Sequence, residues 1–201
     1  MNTTQLDEIY SFWFGDDATG RIEPRRIEFW MHQKDETDRI IRERFAGCLP
    51  EAAATEWDVA HLTRQQAVAL VVLFDQFPRN IFRTSGEAFA YDHLARDLVS
   101  KLIADGTGHF TPMERFILGL PFVHHENMDG QDRGVMLAAL EAVGANDNDR
   151  DGQRFNLDQA IRHREVIQRF GRFPHRNVML GRQSTPEEVA FLETALRGRG
   201  F

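Results

Sequence analysis

The amino-acid sequence predicts an all-α protein built from antiparallel helix pairs, with about eight to ten helices and no sheet. Three observations carry the prediction. First, Thr63-Arg64-Gln65-Gln66, Thr111-Pro112-Met113-Glu114 and Thr185-Pro186-Glu187-Glu188 each set a Gln or Glu three residues after a Thr. In that spacing two side chains and two backbone N–H groups satisfy one another at a helix start. Second, two of the three hold Pro at the first helical position, where its missing donor costs nothing. Third, no segment alternates apolar and polar residues between hairpin turns, as a half-buried strand would.

Taken in order, helices are expected near residues 4–13, 25–46 (as one helix or two), 63–76, 86–105, 111–125, 130–143, 155–170 and 185–197. The first carries Phe12-Trp13-Phe14 and the second Phe29-Trp30, aromatic groups of the kind that anchor a core. The third contains AVALVVLF, residues 67–74, which is apolar on every side. Its β-branched residues suit a strand, but the capping box before it and its continuation into Asp75-Gln76 favour a buried helix. Pro78 is expected to stop that helix near Asp75-Gln76, because proline pushes the residue before it out of the helical region. Thr84-Ser85-Gly86-Glu87 is a looser start signal for the fourth helix, which Gly106 ends. Gly171 serves as the cap after residue 170. Helices joined by short loops give a bundle or an α-solenoid. No clean repeat of roughly 34 residues is present, so a solenoid here is a degenerate one.

A chain of 201 residues that is 42% hydrophobic and 27% charged reads as one domain spanning 1–201. A domain of that size buries roughly 70% of its unfolded surface and needs no disulfide or metal to fold. The single Cys48 cannot bridge internally, which fits a reducing cytoplasm. MNTTQLDEIYSFW has neither a basic n-region nor an apolar h-region, so no signal peptide is expected. No apolar run approaches about 18 residues, so no membrane partner is expected. The net charge of −7 argues against a nucleic-acid partner, which requires a basic footprint. That charge is uneven. Between Arg154 and Arg182 seven arginines face two acids, Asp158 and Glu165, a local excess of five positive charges.

Three stretches concentrate chemistry. Asp75, Arg79, Asn80 and Arg83 surround Phe77-Pro78, and a near echo places Arg172, His175, Arg176, Asn177 and Arg182 around Phe173-Pro174. Arginines at a helix end can donate to its last carbonyls and favour its negative pole, which accounts for part of each group. A loop so dense in planar donors as the second also suits recognition of a carboxylate or phosphate. Asp75, one residue from the end of an apolar helix, needs a cationic partner if buried, and Arg176 or Arg79 is expected to supply it. The third stretch, LPFVHHEN, residues 120–127, sets His124, His125 and Glu126 near a helix end. His163 lies among Ile161, Val166 and Ile167, where a histidine is more often a satisfied core residue than a ligand.

His124, Glu126, His163 and His175 are the residue types zinc or iron would use, but their spacing fits no local ligand motif, so no metal is assigned. Asp147, Asp149, Asp151, Gly152 and Asp158 fall at positions 1, 3, 5, 6 and 12 of a calcium-loop pattern. Arg154 at position 8 and the short Asp158 at position 12 depart from it. No Gly-x-Ser-x-Gly, Walker loop or Gly-x-Gly-x-x-Gly is present, and no cofactor is expected. Cys48, in AGCLP, reads as packing.

LFDQFPRNIFR, AFAYDHLA, LPFVHHE and FGRFPHRNVMLGRQSTPEEVAFL together resemble a bacterial family of uncharacterised proteins, domain of unknown function 924. The resemblance runs from the N-terminal FWFG over nearly the whole chain. It implies an all-helical fold similar to tetratricopeptide repeats, wound as a right-handed superhelix, and it transfers no activity. His125 and His93 stand at positions where the family looks different, which demotes both. The calcium-like loop falls where the family carries no motif.

The resulting expectation is one polar site to which both Phe-Pro stretches contribute, with His124, Glu126 and His163. Arg79, Asn80, Arg83, Arg172, His175, Arg176, Asn177 and Arg182 bind a small anionic molecule there, and Asp75 fixes an arginine. If the site carries a reaction, His124 or His163 with Glu126 forms the acid–base pair. The competing reading is a peptide-binding module whose basic groove holds a peptide carboxylate, the motifs otherwise serving as caps and ion pairs. The oligomeric state is left open.

Overall fold

A computed structural model describes residues 1–15, 34–104, 106–147 and 149–197. All regular structure among them is helical. Residues 25–33 of the helix or helices expected over 25–46, with Phe29-Trp30, lie outside the described residues. The chain divides into two compact units, residues 1–83 with 87–121, and residues 84–86 with 122–201.

The first unit is organised around the apolar third helix. Its helices are α1 (Thr3–Phe14), α2 (Lys34–Phe45), α3 (Cys48–Ala53), α4 (Arg64–Val71), α5 (Phe77–Ile81) and α6 (Asp92–Leu102). The Thr63 capping box opens α4, with Gln66 N–H donating to Thr63 Oγ1 and Thr63 N–H to Gln66 Oε1. Every residue from Ala67 to Phe74 is buried, as an all-round apolar helix requires. Phe77, fully buried, packs its ring against Phe45 at 5.1 Å and Trp13 at 5.8 Å. Cys48 is buried and accepts a long contact from Gln5, in line with a packing role.

Pro78 does not stop the helix. A wide π turn over Val72–Gln76 closes with Phe77 N–H donating to Val72, and α5 follows at once. The extra residue places Pro78 in the first turn of the new segment, where no intrahelical donor is needed. The expected helix over 86–105 is also corrected. A 3₁₀ turn at Gly86–Phe89 precedes α6. Arg79 lies over the Phe89 ring at 5.6 Å and Tyr91 stacks on Phe74 at 6.2 Å. Packing of these two rings sets the chain path here in place of helical continuation.

α7 (Pro112–Val123) begins at the Thr111 box, and the division between the units falls between Pro121 and Phe122. The second unit contains α8 (Met128–Gly144), α9 (Arg150–Phe170), a 3₁₀ turn at Pro174–Arg176 and α10 (Pro186–Arg197). One buried core cluster in it is Val166, Ile167 and Phe173, flanked by Met128, Phe170 and Phe191. Gly171 caps α9 at φ +70° and donates to Ile167 O at 2.8 Å. The calcium-like pattern is corrected here. α9 starts at Arg150, so Asp151, Gly152 and Asp158 lie on a helix and cannot wrap an ion as a loop does. Asp147 instead pairs with Arg150 at 2.6 Å. No described helix is long and apolar enough to cross a membrane.

Candidate functional site

In the second unit the site is assembled at the meeting of three segments: the residues after α7, the middle of α9, and the loop after α9. Gln131, fully buried on α8, holds the first of them. Its Nε2 donates to the carbonyls of Val123 and His125, each at 2.7 Å, which are orphan acceptors at a helix end. Gly134 lets α8 come close. A Cβ there would stand 2.8 Å from the Val123 side chain and 3.1 Å from its backbone nitrogen.

Glu126 is thereby presented to the loop. Arg182 grips its carboxylate through both terminal nitrogens, at 2.6 and 3.0 Å, and Phe173 N–H donates to the same group at 2.8 Å. Burial alone would raise the Glu126 carboxyl. The bonds from Arg182 and Phe173, with the charges of Arg182 and Arg176, outweigh burial and hold it below the usual carboxylate range.

Phe173 is the platform of the site and is fully buried. His163 meets it edge-on at 5.5 Å, His175 lies against it at 5.4 Å, and the Arg176 guanidinium sits over its face at 4.5 Å. Three residues that are or can become cationic thus share one ring. His163 Nδ1 donates to Gln159 O at 2.8 Å, which makes Nε2 the proton-accepting nitrogen of the neutral ring. Burial pushes the His163 pKa down, with nearby His124 and Arg176 adding to the effect. His175 is exposed to solvent. Its pKa is pushed down to about 4, by crowding of the ring first and then by the charge of Arg176.

The rest of the loop is clamped. Arg172 grips Glu188 at 2.7 and 2.9 Å. Buried Asn177 donates to Ser184 at 3.0 Å and to Glu188 at 3.2 Å. Glu188 also completes the Thr185 capping box. The Arg172 bonds, above all, hold its pKa down at about 2.

In the first unit, Arg79 forks onto Asp92 at 2.8 and 2.9 Å, lies 3.5 Å from Asp75 and donates to the Asp75 carbonyl. Arg79, one of the two arginines proposed for Asp75, is found beside it. Asn80 and Arg83 both bind Asp38, at 2.8 Å and at 2.5 and 2.6 Å. The sequence reading missed four of these anchors as site residues: Asp38, Asp92, Gln131 and Glu188. Glu188 had a signal in its capping box and Asp92 in the family-like stretch AFAYDHLA. Among the described residues no three His, Cys, Asp or Glu side chains gather as a metal site would.

The profile of a bacterial protein family of unknown function, DUF924, matches residues 9–195. The chain belongs to the DUF924 family. Its structure is similar to that of a protein of unknown function from Agrobacterium tumefaciens, ATU0120. The two share 31% sequence identity with a TM-score of 0.75, over 95% of this chain and 98% of that one. No curated protein matches the sequence.

Proposed function

We propose that this DUF924 protein binds a small anion, a carboxylate or phosphate, at the Phe173 platform of its second unit. The observation that carries the reading is the gathering of His163, His175 and Arg176 on one buried ring, beside Glu126, which Arg182 grips. An anion arriving there lets the two histidines take up protons that their present surroundings refuse. Arg176 supplies the fixed charge, and His124 adds a third imidazole, near enough to weigh on the charge of both histidines. Glu126 acts in this reading as the group that fixes Arg182 and the Phe173 backbone. In this reading His163, whose Nδ1 bonds Gln159, or His124 is the group to carry proton transfer with Glu126.

A second reading is supported by the clamps. Arg79, Arg83 and Arg172 each meet an internal acid, so these arginines act as structural ties of their own units. The two readings divide the motif residues between them.

The test is a titration of the full chain with inorganic phosphate and with citrate, followed by NMR of the histidine ring nitrogens. Binding raises the pKa of His175 and His163 and tightens as pH falls from 7 to 5. Unchanged ring resonances at millimolar phosphate and citrate sink the reading.

A further inference from the structure

The α8–α9 hairpin carries a second feature, independent of the anion site. α8 buries only Gly130, Gln131 and Gly134, all in its first half. Its second half reads VMLAALEAV over 135–143, and none of those residues is buried. Met136 is 53% exposed, Leu140 60% and Val143 87%. Their spacing puts them in one stripe along the helix. Phe155, in the early part of α9, is 62% exposed. A surface helix normally turns its apolar stripe to the core. Here the stripe faces away from the core of its own unit.

We propose that this end of the hairpin is a self-association surface that pairs with the same surface of a second copy of the chain. Met136, Leu140 and Val143 expose on the order of 400 Å² of apolar surface, at about 200 Å² for a large residue fully exposed. That matches the largest apolar patch of a typical monomer and is about half of the ~800 Å² that one partner brings to a standard interface. The partly exposed Val135, Leu137, Ala138, Ala139 and Ala142 add to it. Alanines between the large residues let helix axes approach to about 8–10 Å. Two helix pairs meeting this way complete a four-helix bundle.

The charges around the stripe choose the occupant. Along this end of the hairpin, Glu141, Asp147, Asp149, Asp151 and Asp158 are interspersed with Arg150, Arg154 and Arg162. A two-fold contact needs both signs on one patch, because each residue meets its partner's counterpart in reciprocal fashion. An anionic lipid surface would instead call for a basic rim.

Sedimentation velocity of the full chain at roughly 1–100 µM tests this, with Leu140→Arg and Val143→Lys as interface variants and Val178→Lys as an exposed control. The wild type and the control shift from monomer to dimer with concentration. Each interface variant weakens the dimer at least about thirtyfold while keeping wild-type circular dichroism. Val143, the more exposed position, decides the matter if Leu140→Arg does not fold. A wild type that stays monomeric throughout, or a dimer that survives both interface variants, overturns the proposal. So does a monomer that binds anionic phospholipid vesicles through the stripe.

Discussion

Arg182 holds both oxygens of Glu126, at 2.6 and 3.0 Å, and one of those oxygens also takes the Phe173 backbone N–H. This pair ties the segment after α7 to the loop after α9, and Phe173 is the residue both arms touch. It is side-chain recognition used to fix a backbone, across 56 residues of sequence.

Glu126→Gln should therefore cost stability. It keeps the shape, but removes the charge and leaves a half-buried guanidinium with a weaker acceptor. Charge-assisted bonds of this kind contribute about 1.5–3 kcal/mol. Urea unfolding is expected to show a loss of about 2 kcal/mol, and a double-mutant cycle with Arg182→Met a coupling above about 1 kcal/mol. Additive single effects would show that the contact does not hold the loop.

Arg79→Met should be worse. Asp75 is 1% exposed and Asp92 6%, and both face this guanidinium. Methionine fills similar space but takes the guanidinium from buried Asp92 and from beside Asp75, and removing one partner of a buried pair costs about 3–5 kcal/mol. The variant is expected to unfold well below the wild-type temperature at neutral pH. A melting temperature within about 2 °C of wild type would refute the account.

Stability should fall with acid through the histidines. The pKa of His175 is about 4 folded, against an ordinary value near 6.5 unfolded, and that of His163 shifts in the same direction. Below pH 6.5 the unfolded chain takes up protons that the folded chain refuses, so stability drops as pH falls toward 4. Glu188, at about 2, adds its own loss only lower, as pH falls from about 4.5 through 2. His175→Gln is expected to flatten the melting-temperature profile between pH 6.5 and 4 while leaving the steeper part below it. An unchanged slope would mean that His175 is protonated as easily folded as unfolded.

Much of the fold was legible because helix starts are local. The Thr63, Thr111 and Thr185 boxes need only four residues each, and all three form. Pro78 misled because a π turn is a response to packing, invisible in a four-residue window. The helix expected from residue 86 gave way to Phe89 and Tyr91, whose rings pack on partners distant in sequence. At the site, the residue types were legible and their partners were not. Arg83 announces a cation, but nothing near it in sequence names Asp38, 45 residues away. Gln131 left no signal, since a glutamine on a helix is ordinary until three carbonyls are seen around it.

That glutamine separates positioning from binding. Gln131→Leu preserves bulk and burial but takes the donor from Val123 and His125 carbonyls, each left without it in a mostly buried place. The cost is about 1–3 kcal/mol for the unsatisfied acceptors. The segment carrying His124 and Glu126 loses its anchor on α8, while Arg176, His175 and Phe173 remain on their own loop. Phosphate affinity is expected to fall severalfold, and the His175 pKa in the ligand-free protein to stay near 4, as its crowding and its Arg176 neighbour are untouched. Gly134→Ala, which drives a methyl against Val123, should reproduce the affinity loss by displacing the same segment from the other side. If both variants lose stability yet bind phosphate as the wild type does, the segment after α7 has no part in the anion site, and recognition rests on the Phe173 loop and α9 alone.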